Sequence, residues 1–404
     1  MTEQGPAWLR DPEMRKERVR RHVEIIREAW PEIVVPTGDS DDVADMHHMH
    51  RDGVILVRDA DLDRVAAIIP GDVERSLING VTLYRPRARD IEAVLTQIDD
   101  ELGVGVATPD HALHVTVAGL CPATEPEDVD LPPNPAVNPD PASDGTDVLV
   151  SVVDTGFLPG LADQQHSWLV GVKGDEERHR PQYIRPFEGH GTFVAGIVRC
   201  LAPKADVQVE GFLARGGTIF ESEIVTQLDD GLDRVPDIIS LSGGALTRHN
   251  LPPLSFEVFW ESRLRHLKGT VLVTAAGNDQ HRGPFWPAAF PWAISVGALG
   301  HDGKRAPFTN FGSWVDVYAP GVDIVNAFPN GVYVYQEPPH EGTVHEFTHG
   351  MARWSGTSFS TPIVTGKIAA RMSATGETAR LAADTLLAEA RQNARPRVGA
   401  ILKP

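Results

Sequence analysis

Three short runs in the chain hold residues able to carry out acyl transfer. Ser358 lies in Gly356-Thr357-Ser358-Phe359-Ser360-Thr361-Pro362, a glycine turn that leads into the apolar, helix-like stretch Ile363–Ala370. A serine hydroxyl is a weak nucleophile until a base takes its proton and its geometry is fixed. At a helix start, backbone N–H groups and the helix dipole favour the negative charge that develops there. Proline is tolerated in such a first turn because its missing N–H has no partner there. Asp154 closes the β-branched, apolar run Asp147–Val153 and precedes Thr155-Gly156, so it reads as a carboxylate at the C-terminal end of a buried strand. His190 stands between Gly189 and Gly191 and opens the apolar helical pattern Thr192–Val198. In an acyl transfer, His190 would take the Ser358 proton and pass it to the leaving amine. Asp154 would hold the imidazole in the required tautomer and stabilise its charged form.

The three motifs, in the order Asp, His, Ser, resemble those of the subtilisin-like serine peptidases, for which that order is well known. The resemblance covers roughly residues 147–372, and residues 356–362 match the family's serine motif throughout. Asp-Thr-Gly also occurs in aspartic peptidases, which need a second such motif or a dimer partner; no second one is found here. The resemblance implies a serine endopeptidase that hydrolyses extended polypeptides through an acyl-enzyme and uses no cofactor. It also gives Asn278, after the strand-like run Val271–Thr274, the role of donating its side-chain amide to the oxyanion, with the Ser358 N–H as second donor. Ser242, Gly243 and Gly244 then line one wall of the specificity pocket, with Ala275, Ala276 and Gly277 opposite. Gly216 and Gly217 lie in the edge segment that pairs with extended substrate, where glycine lets backbone approach backbone.

The elements that must position these residues follow from the hydrophobic pattern. Short strand-like and helix-like runs alternate from Val148 to Val296. That rhythm predicts an α/β fold, a subtilisin-like parallel sheet with helices on both faces. Reactive groups at strand ends and helix starts suit the carboxyl edge of such a sheet. Residues 147–375 are expected to form this catalytic domain and 376–404 a C-terminal helix and tail. Residues 53–117 predict a small α+β domain in the order β-α-β-α-β-β, with strands at Val54–Val57, Val81–Tyr84, Val104–Thr108 and Ala112–Val117 and helices at Ala60–Ile69 and Ala88–Leu102. Its place before the catalytic domain is that of the family's prodomains. The resemblance therefore implies intramolecular inhibition by the N-terminal domain, with self-cleavage between residues 110 and 147. The competing reading is a partner-binding accessory domain. Residues 118–146, rich in Pro and Asp, read as a semi-rigid linker.

Residues 1–52 predict a basic helical arm followed by an irregular acidic segment. That segment ends in Met46-His47-His48-Met49-His50, whose histidines suit a metal but have no scaffold legible in sequence; a solvated loop is expected. The net charge of −19 argues against nucleic acid as a partner, and no apolar run is long enough to span a membrane. The N-terminus shows no signal-peptide pattern, so a cytoplasmic location is expected. Two cysteines, Cys121 and Cys200, make no disulfide framework and are expected to be free thiols.

Some features depart from the family pattern. After His190 the chain lacks the longer loop that binds a structural calcium in many members, and Phe193 stands where many have a second histidine. An insertion at Pro329–Trp354, just before the nucleophile, is placed to gate the cleft. It contains His345-Glu346-Phe347-Thr348-His349, a match to the zinc-peptidase pattern H-E-x-x-H, which needs both histidines on one helix face. The flanking Gly342 and Gly350 disfavour such a helix. A zinc peptidase using His345, Glu346 and His349, or a catalytically silent binding module on the same fold, are the alternatives to the serine peptidase.

Overall fold

A computed structural model describes residues 11–115 and 123–403. Helix α1 (Pro12–Ala29) starts where Asp11 accepts from the Glu13 and Met14 N–H groups, with Pro12 at the first position. After the two-residue strand β1 (Ile33–Val34) come β2 (His50–Arg58), α2 (Leu62–Ile68), β3 (Gly71–Ser76), β4 (Val81–Pro86), α3 (Ile91–Leu102) and β5 (Ala107–His114). From β2 onward the order is βαββαβ, which corrects the expected β-α-β-α-β-β. The strand β3 escaped notice because it is a charged, exposed edge carrying Asp72, Glu74 and Arg75, with no apolar alternation to mark it. The two strands expected at Val104–Thr108 and Ala112–Val117 are one strand, β5, buried along its whole length; Thr116 and Val117 lie outside the described residues, as does Cys121.

A second sheet and the elements around it come from the rest of the chain. These are β6 (Glu127–Asp128), β7 (Leu149–Val153), β8 (Lys173–Gly174), α4 (His190–Leu201), β9 (Asp206–Glu210), β10 (Thr218–Phe220), α5 (Glu221–Gly231), β11 (Ile238–Leu241), α6 (Leu254–Ser262), β12 (Val271–Ala275), β13 (Ala293–Leu299) and β14 (Val317–Pro320). Seven strands, in the order β14-β13-β12-β11-β7-β9-β8, pair in parallel throughout. Strands β11, β12 and β13 are buried at every residue, as expected where helices cover both faces. After β15 (Ile324–Ala327) the insertion folds as a β16–β17 hairpin (Gly331–Val334 and Val344–Phe347) and β18 (Met351–Trp354), which lead into α7 (Thr357–Thr375) and α8 (Ala379–Gln392).

The two sheets are not separate bodies. Apolar residues of α5 and α6 (Ile224, Val225, Phe256, Val258) form one buried cluster with Val54, Leu56, Val81 and Leu83 of the front sheet. In addition β10 pairs antiparallel with β5, so a strand from the second half of the chain extends the front sheet. Residues expected to be a free linker are docked as well: β6 pairs with β18, and the Asn134 N–H donates to the Val325 carbonyl at 2.9 Å. Among the described residues no helix is long and apolar enough to cross a membrane. Cys200 is a buried free thiol, and burial pushes its pKa up to about 12.

Candidate active site

Asp154 leaves β7 directly into a turn, and His190 is the first residue of α4. The Gly191 N–H donates to the Thr155 hydroxyl at 3.1 Å, tying the start of α4 to that turn. The close approach depends on glycine: a Cβ at 191 would lie inside contact distance of the Gly156 carbonyl oxygen. In this setting His190 Nδ1–H donates to Asp154 Oδ1 at 2.6 Å. That bond leaves Nε2 as the acceptor of the ring. His190, Asp154 and Ser358 are all fully buried.

Ser358 is the second residue of α7, whose N-cap is Gly356. Its Oγ and His190 Nε2 have no hydrogen-bond partner among the described residues. A buried donor and a buried acceptor left unmade in this way are costly unless a reaction uses them. Phe359 packs its ring 5.4 Å from the His190 ring, and Trp354 presents an edge to the same ring at 5.5 Å. These two aromatic walls fix the imidazole on the sides that Asp154 does not. Trp354 was not recognisable from sequence, since its role comes from the fold of the insertion.

Asn278 follows β12 at 4% exposure. Its Oδ1 accepts from the Thr357 N–H at 2.9 Å and from the Thr357 hydroxyl at 3.0 Å. Because the oxygen is engaged, the NH₂ group is the side free to donate elsewhere, beside the first turn that carries Ser358. A pair of donors placed so is the arrangement an oxyanion needs.

The proposed cleft residues lie at neighbouring strand ends. Ser242 follows β11 and donates its hydroxyl to the Ser358 carbonyl at 3.0 Å. Ala275 ends β12 and is followed by Ala276 and Gly277, all buried beside it. Between the Gly217 and Gly244 segments runs the end of β5. The His114 N–H donates to the Gly244 carbonyl at 2.9 Å, the Gly244 N–H donates back to His114 at 3.0 Å, and the Val115 N–H donates to Gly217 at 2.9 Å. Gly217, at φ 64°, has no room for a Cβ against Val115 and Phe187. Gly216 faces a different neighbour, Ala29 of α1. Gly243 lies 3.2 Å, measured from a Cβ position, from the His114 carbonyl oxygen.

Side chains next to this ladder reach the start of α5. Asp110 accepts from the Ser222 N–H and hydroxyl at 2.8 and 2.7 Å, and His111 Nδ1 meets Glu221 Oε2 at 2.8 Å. Burial pushes Asp110 and Glu221 up to about 7, and pushes His111 down to about 3. The arm is not solvated either. From α1, Arg15 donates to the Asp279 carbonyl at 2.7 Å, Arg18 pairs with Glu337 at 2.7 Å, and Arg21 donates to Gln336 at 2.8 Å. The arm thus bridges the residue after Asn278 and the insertion.

The zinc-peptidase alternative finds no support, and one expectation fails. The H-E-x-x-H residues lie on and after strand β17, so His345 and His349 never share a helix face; both are about half exposed and approach Asp128 instead, His349 at 2.7 Å. The histidines at 48 and 50 are not in a solvated loop: His50 opens β2, and the two are 4% and 1% exposed.

A family model described as the subtilase family matches residues 145–400. A thermophilic serine proteinase of Bacillus sp. (strain AK1) is 30% identical over 229 residues, which is 54% of this chain and 50% of that protein. Thermitase of Thermoactinomyces vulgaris is 27% identical over 55% of this chain and 74% of its own length. The chain therefore spans only half of the first of these relatives. Among solved structures, fervidolysin from Fervidobacterium pennivorans, a keratinolytic enzyme related to subtilisin, superposes with a TM-score of 0.56 at 17% identity, over 88% of this chain and 60% of that one. That likeness is one of fold, and it extends well beyond the residues the family model matches, onto the N-terminal part. With well over half of its length matched by that model, the chain belongs to the subtilase family.

Proposed function

We propose that the protein is a serine endopeptidase acting on extended polypeptides through Asp154, His190 and Ser358. The observation that carries the reading is the 2.6 Å bond from His190 to Asp154, with His190 Nε2 and Ser358 Oγ both buried and unpartnered. In the first step His190 Nε2 takes the Ser358 proton as Oγ attacks the substrate carbonyl. The Asn278 amide and the Ser358 N–H receive the oxyanion, and the protonated imidazole gives its proton to the departing amine. Water, activated by the same imidazole, then releases the acyl group from Ser358. The relative in Bacillus sp. (strain AK1), a serine proteinase, supports this class of reaction. The test is labelling by a serine-reactive phosphonate. Wild type is expected to take up the label and Ser358→Ala to lose both label and turnover; label retained in Ser358→Ala refutes the reading.

A second reading concerns the latent state. The ladder of His114 with Gly244 and Val115 with Gly217 puts the chain's own strand where extended substrate is expected to bind. The front sheet then acts as an intramolecular inhibitor, with self-cleavage between residues 110 and 147. Intact mass of wild type beside Ser358→Ala tests this. A serine-dependent cut in that interval is expected; an active chain that stays whole favours the accessory-domain reading.

A further inference from the structure

We propose that His48, His50 and Glu92 bind one divalent transition-metal ion of the zinc class. The three come from separate places: the segment before β2, the first residue of β2, and the first turn of α3. One ligand atom from each lies within 4.8 Å of the others. His48 Nε2 is 3.2 Å and His50 Nε2 3.9 Å from Glu92 Oε1. A tetrahedral ion with bonds of about 2.0–2.1 Å has donor–donor edges of roughly 3.3–3.4 Å, so these separations bracket that value.

The donors are also poised to bind. His48 Nε2, His50 Nε2 and Glu92 Oε1 are buried and have no hydrogen-bond partner among the described residues. His50 Nδ1–H is used by the Arg51 carbonyl at 2.9 Å, which fixes the tautomer that leaves Nε2 with a lone pair. Glu92 Oε2 is held by Arg248 Nε at 2.9 Å, leaving Oε1 turned to the two rings. A protein-only account would need a proton on each Nε2 to bond Oε1. For His50 that means a full imidazolium at 1% exposure, beside a stacked second ring 5.4 Å away and near the Arg248 guanidinium. A divalent ion shared by two neutral rings and one carboxylate removes that conflict.

The donor set selects the metal. Two imidazoles and one carboxylate suit zinc, cobalt or nickel, whereas calcium and magnesium require oxygen ligands. His111, whose ring centroid is 5.7 Å from that of His48, is not a ligand, because Glu221 and the Arg248 N–H already engage both its nitrogens. Glu92 is 39% exposed although its Oε1 is buried, so the carboxylate lies at the edge of the site. Through Glu92 the ion would fasten the segment before β2 to α3. Arg248, which also pairs with Asp99 at 2.6 Å, carries that link to the loop after β11. The site stands whether or not the peptidase reading holds.

The experiment uses the full chain as Ser358→Ala, stripped with chelator and titrated with Co²⁺ and then Zn²⁺. One equivalent of Co²⁺ with the visible absorption of a tetrahedral nitrogen–oxygen site is expected, displaced by Zn²⁺, and Zn²⁺ should raise the melting temperature. Adding Glu92→Gln, or separately His50→Ala, should weaken Co²⁺ binding by about 100-fold or more, while His47→Ala leaves it unchanged. Glu92 is partly exposed, so its variant keeps the test meaningful if His50→Ala fails to fold. Absence of saturable binding, equal affinity in Glu92→Gln, or preference for Ca²⁺ overturns the proposal.

Discussion

Replacing Val115 by proline isolates the backbone contact proposed to hold the front sheet in the cleft. The variant deletes the N–H that donates to the Gly217 carbonyl at 2.9 Å, at a residue only 3% exposed. His114 before it is already in a strand, the conformation a residue preceding proline prefers, so the change is aimed at the donor. A carbonyl left buried without its donor costs about 1–3 kcal/mol. Each 1.4 kcal/mol is tenfold in an equilibrium, so the open fraction should rise about 5- to 150-fold. If only the open form reacts, the initial rate of phosphonate labelling at Ser358 rises by the same factor. The assay follows labelling over time in freshly purified wild type and Val115→Pro, with intact mass read in parallel; cut or uncut, the front sheet is held by the same bonds. A rate within twofold of wild type, with both proteins folded, refutes the argument that this ladder closes the site.

Other outcomes follow from the same geometry. Asn278→Ala should lower kcat by about 10²–10³, the magnitude measured for the corresponding donor in subtilisin, itself a member of this family; a loss below tenfold in steady-state peptide hydrolysis counts against the oxyanion role. Gly191→Ala should force α4 away from the Asp154 turn, and a shift of about 1 Å at His190 is expected to cost roughly 10² in kcat with little change in KM; unchanged kinetics would show that the contact yields. The melting temperature of the Ser358→Ala chain should fall between pH 6.5 and 8. Burial raises Asp110, Glu221 and Asp279 to about 7 and Glu177 to about 8, so the stability they lend at low pH is lost as pH rises through those values. His22 and His111, lowered by burial to about 3, and His50, lowered to about 4, act in the opposite sense only below their unfolded value near 6.5; a melting temperature that rises across that window refutes the assignment.

What could be read in the sequence was what local chemistry and period encode. The parallel sheet announced itself because β7, β11 and β12 are continuous apolar runs covered on both faces. Asp154, His190, Asn278 and Ser358 each stand at a boundary between such a run and a glycine-rich turn, which is where α/β folds expose reactive groups. The strand β3 was illegible for the converse reason: an exposed edge has no apolar face to alternate. The burial of His48 and His50 depends on β2 pairing with β5, where His50 lies opposite His111, a contact 61 residues away in sequence. No window of sequence carries that pairing. Trp354 and Arg18 are of the same kind, since each gains its role from a partner brought in by tertiary structure, His190 in one case and Glu337 in the other.

The ladder proposed to close the cleft has little specificity of its own. Gly217 and Gly244 contribute backbone groups, and any extended segment could present the same N–H and C=O pattern. Three such bonds, each with a net worth of about 0.5–1.5 kcal/mol, hold a strand no better than a good substrate. What distinguishes the chain's own strand is the contact set around it. Asp110 meets the start of α5 and His111 the start of α6 through Glu221, while Arg248 spans Glu92 and Asp99, and Arg18 of α1 reaches Glu337 in the insertion. Of these, Arg18–Glu337 is a buried ion pair, and removing one partner of such a pair leaves an uncompensated charge costing about 3–5 kcal/mol, while the Asp110 and His111 contacts are buried hydrogen bonds. On the proposed latent state, access to Ser358 would be governed less by the strand beside Gly217 and Gly244 than by this surrounding set. The small span predicted for Val115→Pro reflects that division, because the substitution touches the ladder and leaves the charged contacts in place.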